Sequence, residues 1–246
     1  MVRTRMCWSG EASAALAVAG LSATVYSYKR GEPKVLCAAL GYFSGMEALQ
    51  AYTYSVIDQC GLPQNQIATM LGYLHIAFQP FFINAASMHF IPEKARLKVQ
   101  PWVYSLCFFG ALMFIMRMYP FEWLPLCYDV DFLNPFTGKP HLAAFCGETL
   151  CSVSGKWHIA WQMPVRYHIA FDSAYFFVGF LLPLLYGSWR VTLYHTMTGP
   201  LLSYLTTDNS NEWIAVWCLY SIGLLAIMVK TPLRKLLYVK KVWYSS

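Results

Sequence analysis

Seven apolar stretches, most of them close to twenty residues long, divide this chain and leave little room for any other plan. They cover 9–27, Val35 to Ile57, Ile67 to Ile91, 101–119, 167–187, 190–206 and 212–230. A helix of about 20 residues crosses the ~30 Å hydrocarbon core of a bilayer. No stretch keeps up strand-like alternation, and a spanning segment must satisfy its own backbone hydrogen bonds, so helices are the expected spanning element. Composition agrees. The 246 residues are 57% hydrophobic and 12% charged, about half the ~25% charge of an ordinary soluble domain. The expected fold is therefore all-α, a bundle of seven transmembrane helices forming one integral membrane domain over residues 1–246.

The charged residues orient the bundle. With the N-terminus outside, the cytoplasmic connections are "YKRGEPK", "PEKARLK", "GSWR" and the tail "KTPLRKLLYVKK". They carry Lys29, Arg30, Lys34, Lys94, Arg96, Lys98, Arg190, Lys230, Arg234, Lys235, Lys240 and Lys241, most of the 18 basic residues. The outer connections carry Asp58, Glu122, Asp129, Asp131, Glu148, Asp208 and Glu212. This is the positive-inside asymmetry, with the C-terminus cytoplasmic. A cleaved leader over roughly the first 25 residues is the rival reading. It places Lys29, Arg30 and Lys34 on the wrong side. The net charge of +6 belongs to these connections and not to a nucleic-acid face, so no nucleic-acid partner is expected.

Five cysteines, Cys7, Cys60, Cys127, Cys146 and Cys151, fall on the outer side, where disulfides form and persist. The expected bonds are Cys7–Cys60 and Cys127 with either Cys146 or Cys151, bracing an unusually long outer loop at 120–156. A thiolate metal site using Cys127, His141, Cys146 and Cys151 matches no zinc-ribbon spacing. Residues 157–166, "WHIAWQMPVR", read as a short interfacial segment that Pro164 breaks before span five.

Polar groups at membrane depth each need a reason. In span two, Glu47, Gln50 and Tyr54 share one helical face. At 1.5 Å per residue, Glu47 lies about 15 Å from the outer end of its helix and His75 of span three about 12 Å, with Gln79 one turn deeper. If spans two and three are neighbours, these side chains form a pocket. "HIAFQP" at 75–80 has a near copy, "HIAWQMP", at 158–164. His158 and Gln162 would then close over the pocket from above. Pro80 frees a backbone carbonyl at mid-membrane, which only protein or a lined cavity can satisfy. The bland alternative is that each of these groups bonds a neighbouring helix. In span five, His168 and Asp172 stand four apart and are expected to pair with each other.

The stretches "MCWSGEAS", "YFSGMEALQAYTYSVIDQC", "GYLHIAFQPFFIN", "SGKWHIAW", "LYGSW" and "NEWIAVWCLYSIGLL" together resemble an uncharacterised bacterial family of multi-pass membrane proteins of unknown function. The resemblance implies a protein of the bacterial inner membrane, embedded in the lipid bilayer, and supplies no activity. The expected function is to bind, sense or pass a small polar ligand or metal ion from the periplasmic side through Glu47, Gln50, Tyr54, His75, Gln79, His158 and Gln162. The first alternative is a metal-dependent hydrolase of lipid-linked groups, with Glu47 as general base and His75, His158 and Glu47 around a divalent ion such as Zn²⁺. The others are a b-type haem protein, from the fourteen-residue spacing of His75 and His89, and an assembly partner of a membrane complex. No phosphate loop, serine elbow or dinucleotide fingerprint is present.

Overall fold

The computed structural model describes residues 8–129, 132–133, 140–141, 144–218, 223, 227 and 232–244. Four long antiparallel helices come first: α1 (Gly10–Lys29), α2 (Lys34–Ser55), α3 (Pro63–His89) and α4 (Glu93–Met116). Each packs on the next. Their starts are written locally. The Ser9 hydroxyl accepts from the Ala12 amide at the head of α1, and Pro33, Pro63 and Pro92 stand at or just before the first turns of α2, α3 and α4. Proline suits that place because its missing N–H has no partner to lose there. Gly31, at φ +75°, turns the chain between α1 and α2.

The second half is built from broken rods. Helices α5 (Ile169–Phe176) and α6 (Leu182–Leu185) are joined by a π turn at Phe177–Leu181. Helices α7 (Trp189–Thr196) and α8 (Leu202–Thr206) are joined by another at Met197–Leu201. Pro183 and Pro200 explain both. Each lacks the N–H that would bond the carbonyl four residues back, and the widened turn absorbs the fault. Then come α9 (Ser210–Trp217) and α10 (Pro232–Leu237).

The described residues between Arg117 and His168 close one end of the bundle as a cap. It holds two small antiparallel ribbons, β1 (Phe132–Leu133) with β2 (Pro140–His141), and β3 (Cys151–Ser154) with β4 (Ile159–Gln162). The expected interfacial segment at 157–166 is thus largely strand β4, with Trp161 opposite Ser152 in the ladder. Two buried asparagines dock the cap. Asn65 on α3 donates to the Ser152 carbonyl (2.9 Å) and accepts from the Ser152 amide (3.0 Å). Asn211 on α9 does the same for Cys146, at 2.7 and 2.9 Å. Each side-chain amide imitates one rung of a β-ladder, so the cap's backbone groups stay satisfied where water is excluded.

The disulfides correct the expectation. Cys60 pairs with Cys151 and Cys127 with Cys146. Cys7, the expected partner of Cys60, lies outside the described residues, as does most of the seventh apolar stretch. Cys151 wins because the Asn65–Ser152 clamp brings β3 onto the head of α3, beside Cys60.

The far end of the bundle carries the basic connections. There Ser188 donates to the Ser87 carbonyl (2.9 Å), the Val239 amide donates to the Phe90 carbonyl (2.8 Å), and Arg234 pairs with Glu32 (2.7 Å). Lys29, Arg30, Lys34, Lys94, Arg96, Lys98 and Arg190 lie in the connections or in the helix turns beside them at that end. Among the described helices one, Glu93–Met116, is both long and apolar enough to cross a membrane; Ile169–Leu185 is apolar but shorter. Helices α1, α2 and α3 have the length, but glycine, serine, threonine and glutamine dilute them.

Candidate functional site

The turn between β3 and β4 is the most tightly specified part of the cap. The Glu212 carboxylate, at the head of α9, accepts from the backbone amides of Lys156 (2.9 Å), Trp157 (2.8 Å) and His158 (3.1 Å), and from the Asn209 side chain (3.2 Å). Consecutive amides curled around an anion form a nest. Gly155 makes it possible: a Cβ there would lie 2.3 Å from Glu212 Cδ and 2.5 Å from the His158 carbonyl oxygen. Trp8 seals the turn by stacking on the His158 ring at 5.7 Å, while its amide donates to the Trp157 carbonyl (3.0 Å).

His158 is held by this turn and points down onto α2. Its Nδ1 accepts from the Ile159 amide (2.8 Å) and lies 3.2 Å from the Tyr54 hydroxyl. Nδ1 is therefore unprotonated, and the neutral ring carries its proton on Nε2. That atom is buried and has no hydrogen-bond partner among the described residues. Burial pushes the His158 pKa down to about 3. The unfolded chain binds that proton near 6.5, so between these values unfolding takes up a proton. The stability His158 allows is complete above about pH 6.5 and drains away as pH falls toward 3, by at most about 1.4 kcal/mol per pH unit. In detergent, wild type should lose about 2–3 kcal/mol more stability than His158→Gln between pH 6.5 and 4.5. Equal losses in the two proteins would remove His158 as the titrating group.

Below His158 the expected face of α2 is buried. Glu47 and Gln50 are 0% exposed. Both amide atoms of Gln50 are buried, with no oxygen or nitrogen partner among the described residues and only the weakly bonding Cys218 thiol at hand. The Cys218 thiol, just past α9, sits beside Glu47 and Gln50, and Tyr54 is close enough to feel both Glu47 and Glu212. Glu47, Gln50, Tyr54 and His158 are thus gathered between α2, α9 and the cap.

His75 and Gln79 stand apart from this group. The His75 ring stacks on Tyr42 at 3.8 Å, and Tyr42 donates its hydroxyl to the His75 carbonyl, next to the carbonyl that Pro80 leaves without a donor. Tyr42 and Glu47 are five residues apart on α2, about 140° around the helix. His75 consequently lines an apolar groove with Leu71, Leu74, Phe78 and Phe82, on a different side of α2 from Glu47. Gln79 is buried and accepts from the Tyr175 hydroxyl (2.8 Å). Gln162 ends β4 opposite Cys151, half-buried against Gly147. The proposed metal set of Glu47, His75 and His158 is not assembled: among the described residues, no three His, Cys, Asp or Glu side chains converge as metal ligands.

One site residue escapes the sequence reading, and another takes a different partner. Arg117, at the end of α4 and 1% exposed, forms an ion pair with Asp172 on α5 at 3.0 Å. His168 meanwhile caps α5, its Nδ1 accepting from the Ala170 amide, so the expected His168–Asp172 pair is replaced. A lone arginine inside the apolar run "FIMRMY" was the signal, because an unpaired guanidinium is costly among apolar neighbours.

The model of a family of unknown function, DUF5765, matches residues 11–238, and the chain belongs to that family. No curated protein and no solved structure matches it.

Proposed function

We propose that this DUF5765 protein is an integral protein of a bacterial inner membrane that binds a small polar ligand on the periplasmic side, in the chamber between Glu47, Gln50, Tyr54 and His158. Three features support the membrane setting. Basic connections gather at one end and the disulfide-braced cap closes the other. Only 28% of the apolar window of α4 is buried, leaving Leu106, Phe108, Phe109 and Leu112 facing outward. An outward apolar belt of this kind calls for lipid or a partner surface. On this reading the spans are α1 to α4, the rods Ile169–Leu185 and Trp189–Thr206, and the seventh apolar stretch of the sequence, 212–230.

One observation carries the binding reading. Gln50 is a buried primary amide that meets no oxygen or nitrogen partner among the described residues, only the weakly bonding Cys218 thiol, and it lies below a buried His158 Nε2 that has no partner among them. Buried polar groups are almost always satisfied, and leaving one orphaned costs about 1–3 kcal/mol. A bound polar molecule would satisfy both. Gln50→Leu should then separate stability from function. The isosteric apolar side chain relieves an orphaned amide, so the melting temperature of the free protein rises by several degrees, which corresponds to about 1–2 kcal/mol. Stabilisation by a polar solute, found by screening amino acids, polyamines, sugars and inorganic ions against wild type, disappears in the variant. If no solute raises the wild-type melting temperature, or if Gln50→Leu leaves a solute's effect intact, the chamber is not the binding site.

A further inference from the structure

A cavity of about 530 Å³ opens on the flank of the bundle between α4, α5, α8 and α9. Its walls include Phe114, Tyr175, Phe176, Tyr204, Trp213 and Trp217, and its polar end is the Arg117–Asp172 ion pair. Both π turns border it. Tyr175 and Phe176 immediately precede the first, and Pro200 lies within the second. Widened turns of this kind recur at functional sites, where they open a helix toward a ligand.

The chemistry of the walls selects the occupant. The cavity is of ligand-binding size. A bare acyl chain needs no aromatic walls, whereas a flat ring gains stacking contacts from them. An anionic head is not matched, because Asp172 already neutralises the Arg117 guanidinium at 3.0 Å. The Arg117 side chain spends Nη2 on the Ala144 carbonyl (3.2 Å) and Nη1 on Asp172. Its Nε is buried with no hydrogen-bond partner among the described residues. A buried N–H donor that is already charge-balanced asks for a neutral acceptor.

We infer that this cavity binds a flat, uncharged, lipid-soluble ring bearing a carbonyl oxygen, the chemistry of a quinone, with the ring among the aromatic walls and the carbonyl accepting from Arg117 Nε. The site is separate from the chamber under the cap, so either can fail without the other. The rim residue Phe176 is 55% exposed, which gives a lipid-borne ring an approach from the flank.

The test uses the full chain in detergent, with menadione as the quinone and oleate and dodecanol as chain-like comparators. Menadione should quench tryptophan fluorescence saturably, through Trp213 and Trp217, and should raise the melting temperature. Ser203→Leu fills the cavity without touching the ion pair, and Phe176→Ala removes one wall at an exposed position where folding is safe. Each should weaken menadione binding at least tenfold, and Arg117→Lys should weaken it while keeping a cation for Asp172. Non-saturable quenching, quenching unchanged in both Ser203→Leu and Phe176→Ala, or displacement of menadione by oleate at equal concentration would overturn the assignment.

Discussion

Glu212→Ala should destabilise the protein by about 3–5 kcal/mol, the largest effect expected of any single substitution in the cap. One carboxylate serves three backbone amides and one side-chain amide. Hydrogen bonds to a charged group are worth about 1.5–3 kcal/mol each. Lys156 and Trp157 are exposed, so water can replace the carboxylate at their amides, but the His158 amide is buried and cannot be rehydrated in place. Glu212→Gln keeps the shape and one acceptor oxygen and should lose about half as much. Gly155→Ala attacks the same contact from the other side, because its Cβ would overlap the carboxyl carbon. Glu212→Ala and Gly155→Ala should therefore be strongly non-additive, the double variant costing little more than the worse single one. A loss below about 1 kcal/mol for Glu212→Ala, measured by denaturation in detergent, would mean that the nest does not hold the turn.

Removing the Cys60–Cys151 bond should cost about as much. The two cysteines are 91 residues apart, and the loop-entropy relation gives about 4–5 kcal/mol for closing a loop of that length. Cys127–Cys146, at a separation of 19, should contribute about 3 kcal/mol. The ordering matters more than the absolute values, since a denatured chain that keeps residual structure is already constrained. The Cys60→Ser/Cys151→Ser pair should thus lower the unfolding midpoint more than Cys127→Ser/Cys146→Ser. It should also loosen β3 from α3, seen as faster hydrogen exchange at the Ser152 amide, which Asn65 then holds alone. The reverse ordering would show that the short bridge, rather than the long one, fixes the cap.

The helical half of the fold is legible because helix signals are local. The prolines at the heads of α2, α3 and α4, the Ser9 cap and the alternation of basic and acidic connections all act within a few residues. What was hidden depends on distant partners. "HIAFQP" and "HIAWQM" are nearly the same phrase, yet the first is helix within α3 and the second is mostly strand β4. The difference lies in residues 151–154, which supply a partner strand to the second copy. The repeat is therefore not a repeated structure. In the same way Asp172 sits one turn from His168 in sequence but meets Arg117 across the bundle. Cys60 found Cys151 through the Asn65 clamp, which no spacing rule encodes.

The candidate site was half legible. Helical periodicity put Glu47, Gln50 and Tyr54 on one face, and that face is buried against α9 and the cap. Matching depths suggested His75 as their partner, but depth fixes only one coordinate. The rotation of α3 about its axis, set by the Tyr42–His75 stack, turns the histidine to another side of α2. Arg117, a lone charge in an apolar run, was passed over in the sequence, and its partner lies on a different helix.

The central claim is that the polar side chains gathered beneath His158 hold a guest. An experimental density map of the protein in lipid nanodiscs, at a resolution that shows ordered water, tests it most directly. The account predicts non-protein density within hydrogen-bonding distance of the Gln50 amide and of His158 Nε2, and its disappearance in Gln50→Leu. Side chains packed into direct contact there, with Gln50 hydrogen-bonded to protein and no density between, would contradict it.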